Sequence, residues 1–473
     1  MMVSVQPFFA GMIRSLVLLG MILQLPGLLL SSPQHCDREK EDLIQNGRVI
    51  DSVFCIRNPG QSYALYLPTY YTSRQSWPVV FIFEPGARGR MAADTFKLAG
   101  ERFGLIVMCS NNSSNQSGAG SAEAAEAMFQ DAFSRFNPDT SMLFVSGFSG
   151  ASRFASDLAI QDPRVKGVIA CGAGLYHMRE THSQIPGTFS YYGIMGRRDM
   201  NLPDMIETGE RLCRNGIRSH IQYIDTGHEW PPSEEIAAAV AWLRFKMDST
   251  DRDAKEFYLK FQAEKIQFME EKELYADACE RMKSIMDESP EPEFQMHLER
   301  LTNSKVYWKQ IRQREKTYKQ EQRLTATYLN ALSEYEYSTG ARPDTVHTSR
   351  WWNGEIDKLK RWESSPLIES SRLASRLLYL LEMHFSEDMQ MYISNLQLVK
   401  AVFLADLWLR ISPDRLWSLW NIAALYTLTG DSPQAIRLIE RMISSGLARP
   451  DWFQTAPEFE YLKDEPEFIR LVF

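Results

Sequence analysis

The sequence predicts an α/β domain built on a mostly parallel, twisted sheet flanked by helices, followed by an all-α region. Three observations carry this expectation. Short apolar runs recur between Tyr63 and Met247. Amphipathic segments separate them. After Met247 the strand-like runs give way to charged sequence with helical spacing.

The apolar runs are Tyr63–Leu67, Val79–Phe83, Leu105–Met108, Met142–Val145, Val168–Ala170, Tyr191–Met195 and Ile221–Ile224. Several are continuous rather than alternating, as strands buried on both faces of a parallel sheet require. Helical patterns at Glu123–Arg135, Ala151–Ile160 and Leu202–Asn215 lie between them. Strand and helix in alternation imply crossover connections and a parallel sheet.

Asp251 to Tyr337 is highly charged and nearly free of glycine, interrupted by Ser289-Pro-Glu-Pro292. Gly340 to Asn353 reads as a loop, and Ser364 to Phe473 is again helical. The expected organisation is a leader over 1–32, the α/β domain over 48–248, a charged helical segment over 249–363 and a second helical region over 364–473. Ala401 and Ala435 stand 34 residues apart (435 − 401), each ahead of a turn signal.

Arg14 precedes the apolar stretch Ser15–Leu30. A charge before a short apolar run reads as a secretory signal or an N-terminal anchor, so the chain is expected to be exported: periplasmic, extracellular or membrane-anchored. Gln24, Pro26 and Gly27 argue against a stable spanning helix. The net charge of -8 and pI of about 5.7 give no overall attraction to phosphate backbones, so no nucleic-acid partner is expected. None of the six cysteines has metal-ligand spacing, and no metal or cofactor is expected. Export would permit a Cys36–Cys55 bridge.

In Met142-Leu-Phe-Val-Ser-Gly-Phe-Ser-Gly-Ala151 an apolar strand runs into a glycine-flanked serine, and a helical pattern follows. This is the context of a nucleophile elbow, in which a sharp strand-to-helix turn exposes the serine hydroxyl. Ser149 is the candidate nucleophile. Gly147 supplies the small residue the turn needs, and Ala151 stands where a second glycine is usual. A serine hydroxyl needs a base. His228, in Asp225-Thr-Gly-His-Glu-Trp230, follows the last strand-like run and precedes the domain's last helix. His177, His182 and His220 lack that context. The base in turn needs a carboxylate to fix its tautomer. Asp199, just beyond the Tyr191–Met195 run, fills that role, with Asp204 and Asp225 as runners-up. Asp225 lies too close along the chain to His228 to reach its ring easily.

Charge developing on the carbonyl oxygen calls for two preorganised N–H donors. Gly150, immediately after the nucleophile, is one. The other is expected in Glu84-Pro-Gly-Ala-Arg-Gly89, with Ala87 first and Gly86 second, since Pro85 has no N–H. The loop Ser110–Gly120, rich in Asn and Ser, should lie at the sheet's carboxyl edge, where its amides could meet a polar substrate.

Taken together, Tyr63–Pro68, Pro85–Gly89, Gly147–Ala151 and Gly227–Pro231 resemble the α/β-hydrolase superfamily, in particular its esterase and polyhydroxybutyrate-depolymerase-like branch. The resemblance covers about Asp51 to Met247. It implies acyl-enzyme chemistry on an ester or acyl substrate, with no cofactor. The order Ser149, Asp199, His228 is that of this superfamily. Leu419–Ala435 resembles a tetratricopeptide repeat, with Ala423, Tyr426, Gly430 and Ala435 at its small, aromatic, turn and small positions. That implies a helical surface for a protein partner. An exported serine esterase is the leading reading; a serine peptidase, or an inactive hydrolase-fold scaffold, are the alternatives.

Overall fold

The computed structural model describes residues 44–115, 118–176, 185, 189–290, 292–337 and 348–473. The expected leader, Cys36, His177 and His182 lie outside the described residues. The chain divides into two compact units, one within Gln34–Thr317 and one containing Tyr318–Phe473.

The first unit is organised by an eight-stranded sheet. Its strands are β1 (Val49–Phe54), β2 (Ser62–Tyr66), β3 (Trp77–Phe83), β4 (Ile106–Ser110), β5 (Pro138–Phe148), β6 (Gly167–Cys171), β7 (Ser190–Gly196) and β8 (Ser219–Ile224). They run in the order β1-β2-β4-β3-β5-β6-β7-β8. β1 pairs antiparallel with β2, and β2 with β4. Every other pairing is parallel. Each expected apolar run falls on one of these strands, with Leu67 and Leu105 one residue outside β2 and β4.

Helices cover both faces of the sheet: α1 (Gly89–Phe103), α2 (Gly118–Arg135), α3 (Gly150–Gln161), α4 (Leu202–Arg214) and α5 (Ser233–Met247). Successive β3 residues point to opposite sides, and both sides are apolar. Val79, Phe81 and Phe83 join the core containing Met128 and Phe129 of α2 and Ala155 of α3. Val80 and Ile82 join the opposite core, with Phe96 of α1 and Trp242 of α5. The Phe81 and Phe129 rings stack at 4.0 Å.

Helix α5 explains why the unit continues past Met247. Its stretch Ile236-Ala-Ala-Ala-Val-Ala-Trp-Leu243 has no polar face, and all of it is buried. A helix apolar all round must be covered on the side away from the sheet as well. Helix α6 (Arg252–Glu271) supplies that cover, placing Ala254, Tyr258 and Phe261 in the same core. Helices α7 (Tyr275–Met286) and α8 (Pro292–Thr302) follow within this unit. Residues 249–363, set apart by their charge, are therefore shared between the two units.

The long helix α9 (Lys305–Tyr337) contributes residues to each unit. The second unit continues with α10 (Ser349–Glu363), α11 (Ile368–Ser394), α12 (Leu398–Ile411), α13 (Leu416–Thr429), α14 (Ser432–Ser444), α15 (Pro450–Thr455), a 3-10 turn at Pro457–Leu462 and α16 (Pro466–Val472). Its core gathers Tyr328, Trp352, Phe385, Trp408, Trp420 and Phe453. The expected loop Gly340–Asn353 is corrected at its end. Helix α10 begins at Ser349 because the Thr348 side chain accepts the Trp351 N–H. Gly430, at φ 79°, closes α13, and Ala401, Ala423 and Ala435 are fully buried.

Candidate active site

Ser149 sits between the end of β5 and the start of α3, with φ 55° and ψ −127°. That backbone region is strained for any residue but glycine, and surrounding bonds must hold it. The Ser149 N–H donates to the Cys171 carbonyl at the end of β6 (2.9 Å). A Cβ on Gly147 would lie 2.7 Å from the Ser152 nitrogen, so the turn admits only glycine there. Ala151 is different: its methyl is buried within the apolar core and needs no second glycine.

His228 Nε2 lies 2.9 Å from Ser149 Oγ, and His228 Nδ1 lies 2.8 Å from Asp199 Oδ2. Asp199 is fully buried and the His228 side chain is only 7% exposed. The other Asp199 oxygen, Oδ1, accepts the Asn201 N–H at 2.9 Å. That bond orients the carboxylate so that its free edge faces the imidazole. The His228 ring packs against Phe148 at 4.7 Å, and Phe148 stacks on Trp230 at 5.4 Å. These two aromatics, which the sequence reading does not single out, fix the plane of the ring.

The structure thus brings together Ser149, His228 and Asp199. It does not bring the runners-up to the ring. Asp204 is held by Arg153 (3.0 Å) and the Gly174 N–H (3.1 Å). Asp225 faces Arg198 at 3.4 Å. His220 is a core residue, stacked on Tyr192 at 4.7 Å, and burial pushes its pKa down to about 3.

The Gly150 N–H stands at the first position of α3, where a helix has no internal acceptor for it. The loop after β3 behaves otherwise than expected. Glu84, fully buried, organises it. The Gly86 N–H donates to Glu84 Oε2 at 2.6 Å, and the Arg88 N–H to the same oxygen at 3.1 Å. The Ala87 N–H closes a turn onto the Glu84 carbonyl at 3.2 Å, with Ala87 at φ 58°. Arg88 Nε pairs with Oε1 at 3.1 Å. Both expected loop donors, Ala87 and Gly86, are thereby directed at Glu84. A carboxylate closing the apolar run Val79–Phe83 is the signal that could have revealed this.

Among the described residues there is no group of three or more His, Cys, Asp or Glu able to hold a metal ion, and no helix long and apolar enough to cross a membrane.

The sheet order, the strained serine at a strand-to-helix turn and the chain order Ser149, Asp199, His228 define the class: an α/β-hydrolase fold with a Ser–His–Asp constellation. No family profile matches the chain, and no curated protein matches it. Solved structures do. Fluorophosphonate-binding serine hydrolase F of Staphylococcus aureus is 11% identical, covering 39% of this chain and 92% of that one, with a TM-score of 0.33. A ferulic acid esterase is 15% identical over 42% of this chain and 96% of its own, TM-score 0.33. The S-formylglutathione hydrolase of Staphylococcus aureus is 11% identical over 41% of this chain and 96% of its own, TM-score 0.34.

Proposed function

We propose that the chain is a serine hydrolase that cleaves carboxylic esters through an acyl-enzyme. The single observation carrying this reading is the hydrogen-bonded series Asp199–His228–Ser149, built on a strained elbow. With the Nδ1 proton donated to Asp199, His228 Nε2 turns its lone pair to the serine hydroxyl. Nε2 takes that proton as Oγ attacks the carbonyl carbon. Asp199 stabilises the resulting imidazolium. The Gly150 N–H faces the oxygen that becomes negative. Collapse of the tetrahedral adduct expels the alcohol, which takes the proton from Nε2. Water then repeats the sequence on the acyl-enzyme and frees Ser149.

The test is turnover of short-chain p-nitrophenyl esters beside p-nitroanilide peptides. Ester turnover lost in Ser149→Ala, with an unchanged melting curve, supports the reading. Faster cleavage of the anilides would move the enzyme to the peptidases. Unchanged ester turnover in the variant would remove Ser149 from the mechanism. The apolar stretch Ser15–Leu30 supports export as the setting for this activity. The helical region Tyr318–Phe473 is offered as a surface for a protein partner.

A further inference from the structure

We infer that the second oxyanion donor is the side-chain amide of Asn115, and not a backbone N–H of the loop after β3. The inference rests on the serine-hydrolase reading and adds a catalytic residue to it. A tetrahedral oxyanion needs donors already aimed at it, because reorienting them during the reaction would cancel the gain. The loop after β3 offers none that is uncommitted. Pro85 has no N–H, and the amides of Gly86, Ala87 and Arg88 all point to Glu84. Glu84 cannot release them readily, since it is fully buried and they are its compensation for desolvation.

Asn115 stands where such a donor is needed. Its backbone N–H donates to the Pro85 carbonyl at 3.2 Å, and neighbouring Ser114 bridges to Gly86. Ser113 secures the same junction, its hydroxyl bonding both the N–H and the carbonyl of Glu84 at 3.1 Å. From that anchor the Asn115 carboxamide extends over Gly150. A Cβ placed on Gly150 would meet both ends of that carboxamide, Oδ1 first and Nδ2 at 2.7 Å. The carboxamide thus occupies the space a side chain at position 150 would take, and a larger residue there would displace it. Among the described residues no side-chain hydrogen bond engages the Asn115 carboxamide, and the residue is exposed. Its nearer neighbours in sequence differ: Asn111 and Asn112 reach back to Ser62 and brace the sheet edge.

As Ser149 Oγ bonds to the carbonyl carbon, the carbonyl π pair moves onto oxygen. The Gly150 N–H and Asn115 Nδ2–H then donate to that oxygen from two sides.

The test compares full-length wild type with Asn115→Ala and Asn115→Asp, the second keeping the shape but replacing the donor with a charge. The readouts are kcat and KM on a p-nitrophenyl ester, the inhibition constant of a trifluoromethyl ketone, and the melting curve. Loss of one such donor lowers kcat by about 10²–10³-fold. The expected result is that loss in both variants, with little change in KM, parallel weakening of the ketone and an unaltered melt. Wild-type kcat in both folded variants, or a loss confined to KM, would overturn the assignment. A wild type without Ser149-dependent turnover would overturn the hydrolase reading and the Asn115 role with it.

Discussion

Arg281 of α7 meets Glu235 of α5 at 3.0 Å, with the two side chains only 2% and 5% exposed. Gln262 of α6 bonds the same guanidinium, so three helices converge on one buried charge pair. Losing one partner of such a pair leaves the other charge buried alone, which costs about 3–5 kcal/mol. Arg281→Ala should therefore melt well below wild type, and Arg281→Ala with Glu235→Ala should recover part of the loss. Thermal melting of both single variants and the double checks this; a double-variant loss equal to the sum of the two single losses would show that the pair is not coupled.

The same packing bears on where the catalytic unit ends. Every triad residue precedes Met247, yet a chain stopped there would bare the outer face of α5 and leave His220 and Trp242 without Tyr258, whose ring lies 6.1 Å from His220. A second link runs to the acid's own loop: Arg197, two residues before Asp199, pairs with Asp277 of α7 at 2.9 Å. Truncation after Met247 should give insoluble or unfolded protein. A folded, active product by circular dichroism and ester assay would contradict this.

Acid sensitivity should follow His220. Folded, its pKa is pushed down to about 3 by burial from an ordinary 6.5. Between those values the unfolded chain binds the proton and the folded chain does not. Stability from this residue is thus full above about pH 6.5 and is lost as pH falls toward 3. His220→Gln should flatten the dependence of melting temperature on pH between 7 and 4. An equally steep slope in the variant would assign the acid loss to other groups.

The carboxylate assignment separates cleanly. Asp199→Asn keeps the shape but removes the charge that fixes the His228 tautomer, and should lower kcat by about 10⁴-fold. Asp225→Asn, whose carboxylate faces Arg198 and not the His228 ring, should leave kcat near wild type. Asp204→Asn removes the partner of Arg153 and should act mainly on stability. A larger kinetic loss in either of these than in Asp199→Asn would reverse the assignment.

What was legible in the sequence was what is local. Ser149 is marked by the residues immediately around it, and the parallel strands by continuous apolar runs. Asp199 and His228 each follow such a run. Strand β1 escaped because it is an edge strand with Asp51 and Phe54 exposed, so it lacks a buried face to read. The parts of the site set by contacts between distant segments were not legible. Glu84 turns the amides of Gly86 and Ala87 toward itself, and only the fold shows Asn115 lying against Gly150. The all-apolar face of α5 was a readable sign that α6 belongs with the sheet, but the charge beyond Met247 masked it.

In the proposed mechanism the elbow makes Ser149 the nucleophile. The most direct measurement is to treat the intact protein with a fluorophosphonate, then locate the adduct by mass spectrometry of its peptides. The expected result is a single adduct on Ser149, absent in Ser149→Ala and strongly slowed in His228→Ala. No labelling of folded wild type, or an adduct on another residue, would contradict it.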